Sequence, residues 1–243
     1  MEKKFRQVVV IFIDILGSQN RESFNEWYKI MSIFSTMIER EKELDKTHEW
    51  TIYKREIHVF SDCAYIIYDY KEGIEDSRKD IYELMGIACY NTEKVLYEFL
   101  KNGFIARGAI TYGDLFYDNE KNIWFGPAMN RAYSLEAKTA RFPRVIIDPE
   151  YAEDLYSFNE NKYRNTIEKK WINGEILCRD ADNFIYLNYL NGMKLGMNSF
   201  ESENIVENTL KLCNKERSIK RETKELQESI QEKYDWLEKY LLS

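Results

Sequence analysis

Val8-Val9-Val10-Ile11-Phe12-Ile13-Asp14-Ile15-Leu16-Gly17 decides the fold. Val8–Ile13 is an unbroken β-branched and aromatic run with no polar face, so it reads as a central strand covered on both sides. The run ends on Asp14. A carboxylate at the end of a wholly apolar strand is costly unless it meets a cation, and its local alternative is a helix N-cap or turn residue. Gly17 then lets the backbone turn tightly, so that successive N–H groups of Ile15, Leu16 and Gly17 can face an anion.

Working outward, Phe24, Trp27, Tyr28, Met31, Phe34 and Ile38 recur at helical spacing, and the charged stretch Glu39–Lys46 closes that helix. Trp50–Phe60 and Cys63–Tyr68 are strand-like and separated only by Ser61-Asp62, which predicts a tight hairpin with Asp62 at its turn. A second long helix is expected over Ser77–Lys101, stopped by Asn102-Gly103. Phe104–Tyr112 reads as a strand, Gly113-Asp114 as a turn and Leu115–Tyr117 as a return strand. Gly126-Pro127 opens a shorter helix reaching about Thr139. Val145–Asp148 and Phe184–Leu190 are further strands.

Glu201–Ser243 is rich in Glu, Lys and Arg, with Ile205, Leu210, Leu226, Ile230 and Leu237 among its apolar positions, and reads as one or two exposed amphipathic helices. The order strand, helix, hairpin, helix, strand pair, helix, strand predicts an α+β design, a mostly antiparallel sheet with flanking helices. The expected division is a main domain over residues 1–200 and a C-terminal helical extension over 201–243.

Composition narrows the function. A formal charge of -7 argues against a broad basic face for nucleic acid. The four cysteines are scattered without a CxxC pair and there are only two histidines, so structural zinc is not expected and a reducing cytoplasm fits. The charged start followed by Val8–Leu16 is too short, and too acidic at Asp14, for a signal peptide. No stretch approaches the ~20 apolar residues of a membrane span, so a soluble, cytoplasmic protein is expected.

Asp62 alone is a common turn residue for local reasons. The pair says more. If the strand ending at Asp14 lies beside the hairpin, both carboxylates reach one edge of the sheet. Two carboxylates and a backbone carbonyl make a site for Mg²⁺ or Mn²⁺ that takes substrate phosphates as further ligands. Two-metal phosphoryl chemistry uses that constellation.

These residues resemble a known family. Phe12-Ile13-Asp14-Ile15-Leu16-Gly17 resembles the first metal-binding strand of class III adenylate and guanylate cyclases, and Phe60-Ser61-Asp62 resembles their second aspartate hairpin. Phe125-Gly126-Pro127-Ala128-Met129-Asn130-Arg131-Ala132 resembles the segment whose asparagine orients the ribose. Ile105-Ala106-Arg107-Gly108-Ala109-Ile110, Ala132-Tyr133-Ser134-Leu135-Glu136 and Phe142-Pro143-Arg144-Val145 look more specifically like the pyrimidine cyclases of bacterial Pycsar anti-phage systems. The resemblance covers roughly residues 8–148.

The resemblance implies a ferredoxin-like, palm-type cyclase domain with two Mn²⁺ or Mg²⁺ ions held by Asp14, Ile15 and Asp62. It also implies a head-to-tail homodimer in which Asn130 comes from the other subunit. The implied reaction closes UTP or CTP into a 3′,5′-cyclic monophosphate, a messenger read by a separate effector in anti-phage defence. A purine cyclase and a non-catalytic nucleotide-sensing domain are the alternatives.

The sequence departs from that pattern in two places. The transition-state arginine is expected four residues after Asn130, where Ser134 stands, so Arg131, Lys138, Arg141 or Arg107 is left to supply the charge. The adenine-reading lysine is replaced by His58, and the second base-reading position falls at Ile123, beside Asn122 and Trp124. His58 either meets a pyrimidine carbonyl or fills its strand. Arg107 either meets phosphate or snorkels to solvent.

Overall fold

A computed structural model describes residues 3–18, 21–47, 50–163, 176–190 and 199–242. In chain order its elements are β1 (Arg6–Ile15), α1 (Phe24–Thr47), β2 (Tyr53–Phe60), β3 (Cys63–Tyr70), α2 (Ile81–Lys101), β4 (Ala106–Asp118) and β5 (Ile123–Phe125). There follow α3 (Pro127–Lys138), β6 (Val145–Ile147), α4 (Pro149–Tyr163), β7 (Leu177–Arg179), β8 (Ile185–Leu187), α5 (Ser199–Ser218) and α6 (Lys224–Leu242).

β1 lies inside the sheet between β3 and β4, the order being β2-β3-β1-β4-β6-β8-β7 with β5 attached to β4. The pairings of β1 with β3, β1 with β4 and β2 with β3 are all antiparallel. The first four strands and two helices therefore form a split βαβ core, in the predicted α+β class. Among the described strands only β6 runs parallel to a neighbour, β4.

The absence of a polar face on Val8–Ile13 is explained by what covers each side. Val9, Ile11, Ile13 and Ile15 belong to one apolar cluster with Ile30 and Phe34 of α1 and Leu84, Met85 and Phe99 of α2. Val8, Val10 and Phe12 belong to another with Ala128 and Ala132 of α3. Every side chain from Val8 to Ile13 is at most 4% exposed, each burial contributing roughly 1.5–3 kcal/mol. Gly108 lets β4 come close to β1. A Cβ there would lie 2.1 Å from the Phe12 carbonyl oxygen.

The turn expected at Gly113-Asp114 does not form. β4 runs through it without a break, Gly113 pairing with Val8 and Asp114 with Gln7 of β1. A long partner strand satisfies those backbone groups, and that outweighs the local turn preference of Gly-Asp. The return strand is β5, which pairs with Phe116–Asp118. The helix α4 and the strand β7 are additions to the predicted series.

Both C-terminal helices form. Leu237, Tyr240 and Leu241 of α6 are buried in the same cluster as Ile146 and Tyr186 of the sheet. Trp236 Nε1 donates to Asp180 Oδ2 at 2.6 Å and its ring stacks on Phe142 at 5.8 Å. The Tyr240 hydroxyl donates to Asn188 Oδ1 at 2.6 Å. Among the described residues no helix is long and apolar enough to cross a membrane.

Candidate functional site

Asp14 is the penultimate residue of β1, opposite Cys63 on β3 and Arg107 on β4. Strand alternation puts its side chain on the α3 side of the sheet, with Val10 and Phe12. Asp62 sits in the tight turn between β2 and β3, where Ser61 adopts a left-handed φ of 54°. Two bonds fix this turn to the end of β1. The Ile15 N–H donates to the Asp62 carbonyl at 3.0 Å, and the Ser18 hydroxyl donates to Asp62 Oδ2. Both carboxylates thus stand at one rim of the sheet.

The electrostatics agree with that proximity. Burial raises the Asp14 carboxyl above its ordinary value, and the negative charge of Asp62 adds to the effect while Arg107 opposes it. Arg107 Nε lies 3.5 Å from Asp14 Oδ2 and closer, 2.5 Å, to Glu136 Oε1 on α3. The Glu136 carboxyl is pushed up to about 7 by burial despite the Arg107 charge. Burial, then Asp62 and Asp14, push the Cys63 thiol up to about 11, which makes it a poor nucleophile at neutral pH.

Among the described residues no group of three or more His, Cys, Asp or Glu side chains is placed to hold a metal. Asp14 and Asp62 offer two carboxylates, a set suited to a hard cation that draws its remaining ligands from phosphates and water. The repulsion between them, only partly offset by Arg107, is what such a cation relieves. Ile15 is 1% exposed and its side chain faces the α1 and α2 layer, so only its carbonyl is suited to the rim. Gly17 has a φ of +74°, the left-handed conformation expected of the turn through Leu16 and Gly17.

The other predicted residues lie elsewhere. His58 pairs with Tyr65, two positions along from the row containing Phe60, Cys63 and Asp14, about 7 Å further along the strands. Its ring centroid is 3.4 Å from that of Trp124, whose buried indole N–H has no hydrogen-bond partner among the described residues. Burial lowers the His58 pKa, favouring the neutral ring. Asn130 is exposed on α3, whereas Ala128, Ala132 and Glu136 of that helix are buried. Among the described residues no hydrogen bond joins its side chain to Asp14 or Asp62.

Of the cations weighed to replace the missing arginine, Arg131 is bound in a two-pronged pair with Asp148, at 2.8 and 2.6 Å. Arg141 donates to Glu232 at 2.7 Å and Lys138 is exposed. Only Arg107 reaches the carboxylates. Two further charged groups join it, Glu136 and Lys233 of α6, which is within electrostatic reach of Arg107, Glu136 and Asp14. Each leaves a trace in the sequence. Ala128, Ala132 and Glu136 recur at a spacing of four on the inner face of α3, and Lys233 stands between Ile230 and Leu237 on the apolar stripe of α6.

No protein-family model matches the chain, and no curated protein matches it in sequence. Among solved structures it is similar to a bacterial light-regulated adenylyl cyclase, at 15% identity over 61% of this chain with a TM-score of 0.41. That alignment spans 44% of the light-regulated protein's length. It is also similar to the guanylyl cyclase Cya2, at 9% identity and a TM-score of 0.39 over 77% of this chain and 93% of the other. A third similarity is to the catalytic core of a rhodopsin-guanylyl cyclase with converted specificity in complex with ATPαS. There the identity is 12% and the TM-score 0.41, over 76% of this chain and 96% of that one.

Proposed function

We propose that this chain is a class III nucleotidyl cyclase that closes UTP or CTP into its 3′,5′-cyclic monophosphate. The observation that carries the reading is the placement of Asp14 and Asp62 together at one rim of a split βαβ sheet, tied by the Ile15 to Asp62 backbone bond. In the reaction the ribose 3′ oxygen attacks the α-phosphorus and the bond to the bridging β-phosphate oxygen breaks. Pyrophosphate leaves with the electron pair, and the hydroxyl proton passes to water. Asp14, Asp62 and the Ile15 carbonyl would hold Mn²⁺ or Mg²⁺, which would supply charge neutralisation and lower the pKa of the 3′ hydroxyl.

The chain's own residues position and balance charge. Ser18 and the Ile15 N–H hold Asp62, and Arg107 steadies Asp14 and offers a cation to phosphate. The Trp124 N–H beside His58, without a hydrogen-bond partner among the described residues, is a donor suited to a pyrimidine carbonyl. The exposed position of Asn130, with Phe60, Phe125 and Tyr133 each more than half exposed, supports a head-to-tail homodimer in which Asn130 serves the partner's site. Residues 1–200 form the catalytic unit in this reading and 201–243 its helical extension. The cyclic product acts on a separate effector in anti-phage defence, in the cytoplasm, a role supported by the Pycsar-like blocks around Arg107 and Phe142.

The test is mass spectrometry of the products from an equal mixture of the four nucleoside triphosphates with Mn²⁺. A cyclic pyrimidine nucleotide and pyrophosphate are expected, and Asp14→Ala or Asp62→Ala abolishes both. A product from ATP or GTP alone makes the enzyme a purine cyclase. Metal-dependent nucleotide binding without product makes the chain a non-catalytic sensor.

A further inference from the structure

The C-terminal helix α6 is fixed against the segment after α3 and the turn between β7 and β8. Glu232 accepts from Arg141 at 2.7 Å, Trp236 Nε1 donates to Asp180 at 2.6 Å and Leu237 is fully buried. Lys233 lies among these anchors, half-buried, on the stripe that carries Ile230 and Leu237. Among the described residues it takes part in no ion pair or hydrogen bond, although its ammonium is within electrostatic reach of Asp14, Glu136 and Arg107.

An ammonium withdrawn from water without a partner is costly, and the nearby acids are already engaged. Glu136 is held by Arg107 at 2.5 Å, and Asp14 faces the same guanidinium and the charge of Asp62. What the position lacks is an anionic oxygen outside the chain. The compact ammonium of lysine serves phosphate as a point charge, without the planar fork that arginine needs. On α3, Ser134 stands at the expected arginine position, Arg131 is bound to Asp148 and Lys138 is exposed in the last turn.

We infer that Lys233, delivered by the C-terminal helix of the same chain, is a phosphate-binding residue of the site and grips the triphosphate together with Arg107. Glu136, 2.5 Å from its Nε, keeps Arg107 aimed across the rim. The inference rests on the site proposed above and gives the helical extension a direct part in binding substrate.

The experiment measures binding of inorganic tripolyphosphate with Mn²⁺ to the full chain by titration calorimetry, alongside each protein's thermal midpoint. Lys233→Gln is expected to weaken binding about tenfold or more without lowering the midpoint. Lys233→Arg retains most of the affinity, and Lys239→Gln, on an exposed position of the same helix, binds as the unchanged protein does. Equal or tighter binding by Lys233→Gln, or no binding by the unchanged protein, overturns the inference. Product analysis on the same samples separates the two readings. Lost phosphate binding in Lys233→Gln with no cyclic product from the unchanged protein sinks the cyclase reading alone. Equal binding and equal product from both sinks the role of Lys233 alone.

Discussion

Arg107 on β4 and Glu136 on α3 are held 2.5 Å apart at the point where the helix crosses the end of the sheet, and the Glu136 side chain is only 4% exposed. The pair joins the helix that carries Asn130 to the strand beside Asp14. A strand cation is thereby fixed next to two carboxylates that repel each other.

Glu136 gives this corner a pH dependence. Its carboxyl is raised from 4.5 to about 7 by burial, so the fold favours the protonated form. The stability this contributes is fully present below about 4.5 and is lost as pH rises through about 7. Glu136→Gln stays neutral throughout. Its thermal midpoint relative to the unchanged protein should therefore climb between pH 5 and pH 8, as differential scanning calorimetry would record. A difference that stays constant over that interval would contradict the burial argument.

Arg131 is assigned to structure rather than chemistry. It grips Asp148, which is buried and also accepts from Thr111 at 2.7 Å. The Asp148 carboxyl is held below its ordinary value by Arg131 and Thr111, against the effect of burial. Arg131→Ala should cost roughly 2 kcal/mol in urea denaturation at pH 7, because it strands a buried charge. In the unchanged protein the pair's contribution fades as pH falls through the depressed pKa. Product formation per folded molecule should hold, whereas a loss of about a hundredfold with the fold intact would return Arg131 to the active site.

Gly108 sets the spacing that brings Arg107 to Asp14. Because a Cβ there would meet the Phe12 carbonyl oxygen at 2.1 Å, Gly108→Ala must force β1 and β4 apart. A destabilisation of about 3 kcal/mol is expected, at the upper end of overpacking costs. Gly73→Ala meets nothing within 4 Å and pays only for its left-handed φ of +80°, about 1 kcal/mol. Chemical denaturation of the two variants compares these directly, and equal losses would contradict the close approach.

Much of this architecture can be read along the chain. The apolar run of β1, the hairpin around Asp62 and the stripes of α1, α2 and α3 are local signals, and the structure forms each of them. Gly113-Asp114 misleads because turn chemistry is local while β1 pairing is not: the partner residues Gln7 and Val8 are more than a hundred positions away. Glu136 and Lys233 are obscured for a related reason. A charge among apolar positions of a helix reads as a solvated edge until the sheet rim it packs against is known. The competition among cations is also invisible in one dimension, since only folding shows Arg131 taken by Asp148 and Arg107 facing Asp14.

The central claim is that Asp14 and Asp62 hold the same divalent cations, and electron paramagnetic resonance of bound Mn²⁺ tests it most directly. Titrated with Mn²⁺ and inorganic tripolyphosphate, the unchanged protein should bind the ion, and Asp14→Asn and Asp62→Asn should each lose that binding while keeping their thermal midpoints. Undiminished Mn²⁺ binding in either folded variant would contradict the account.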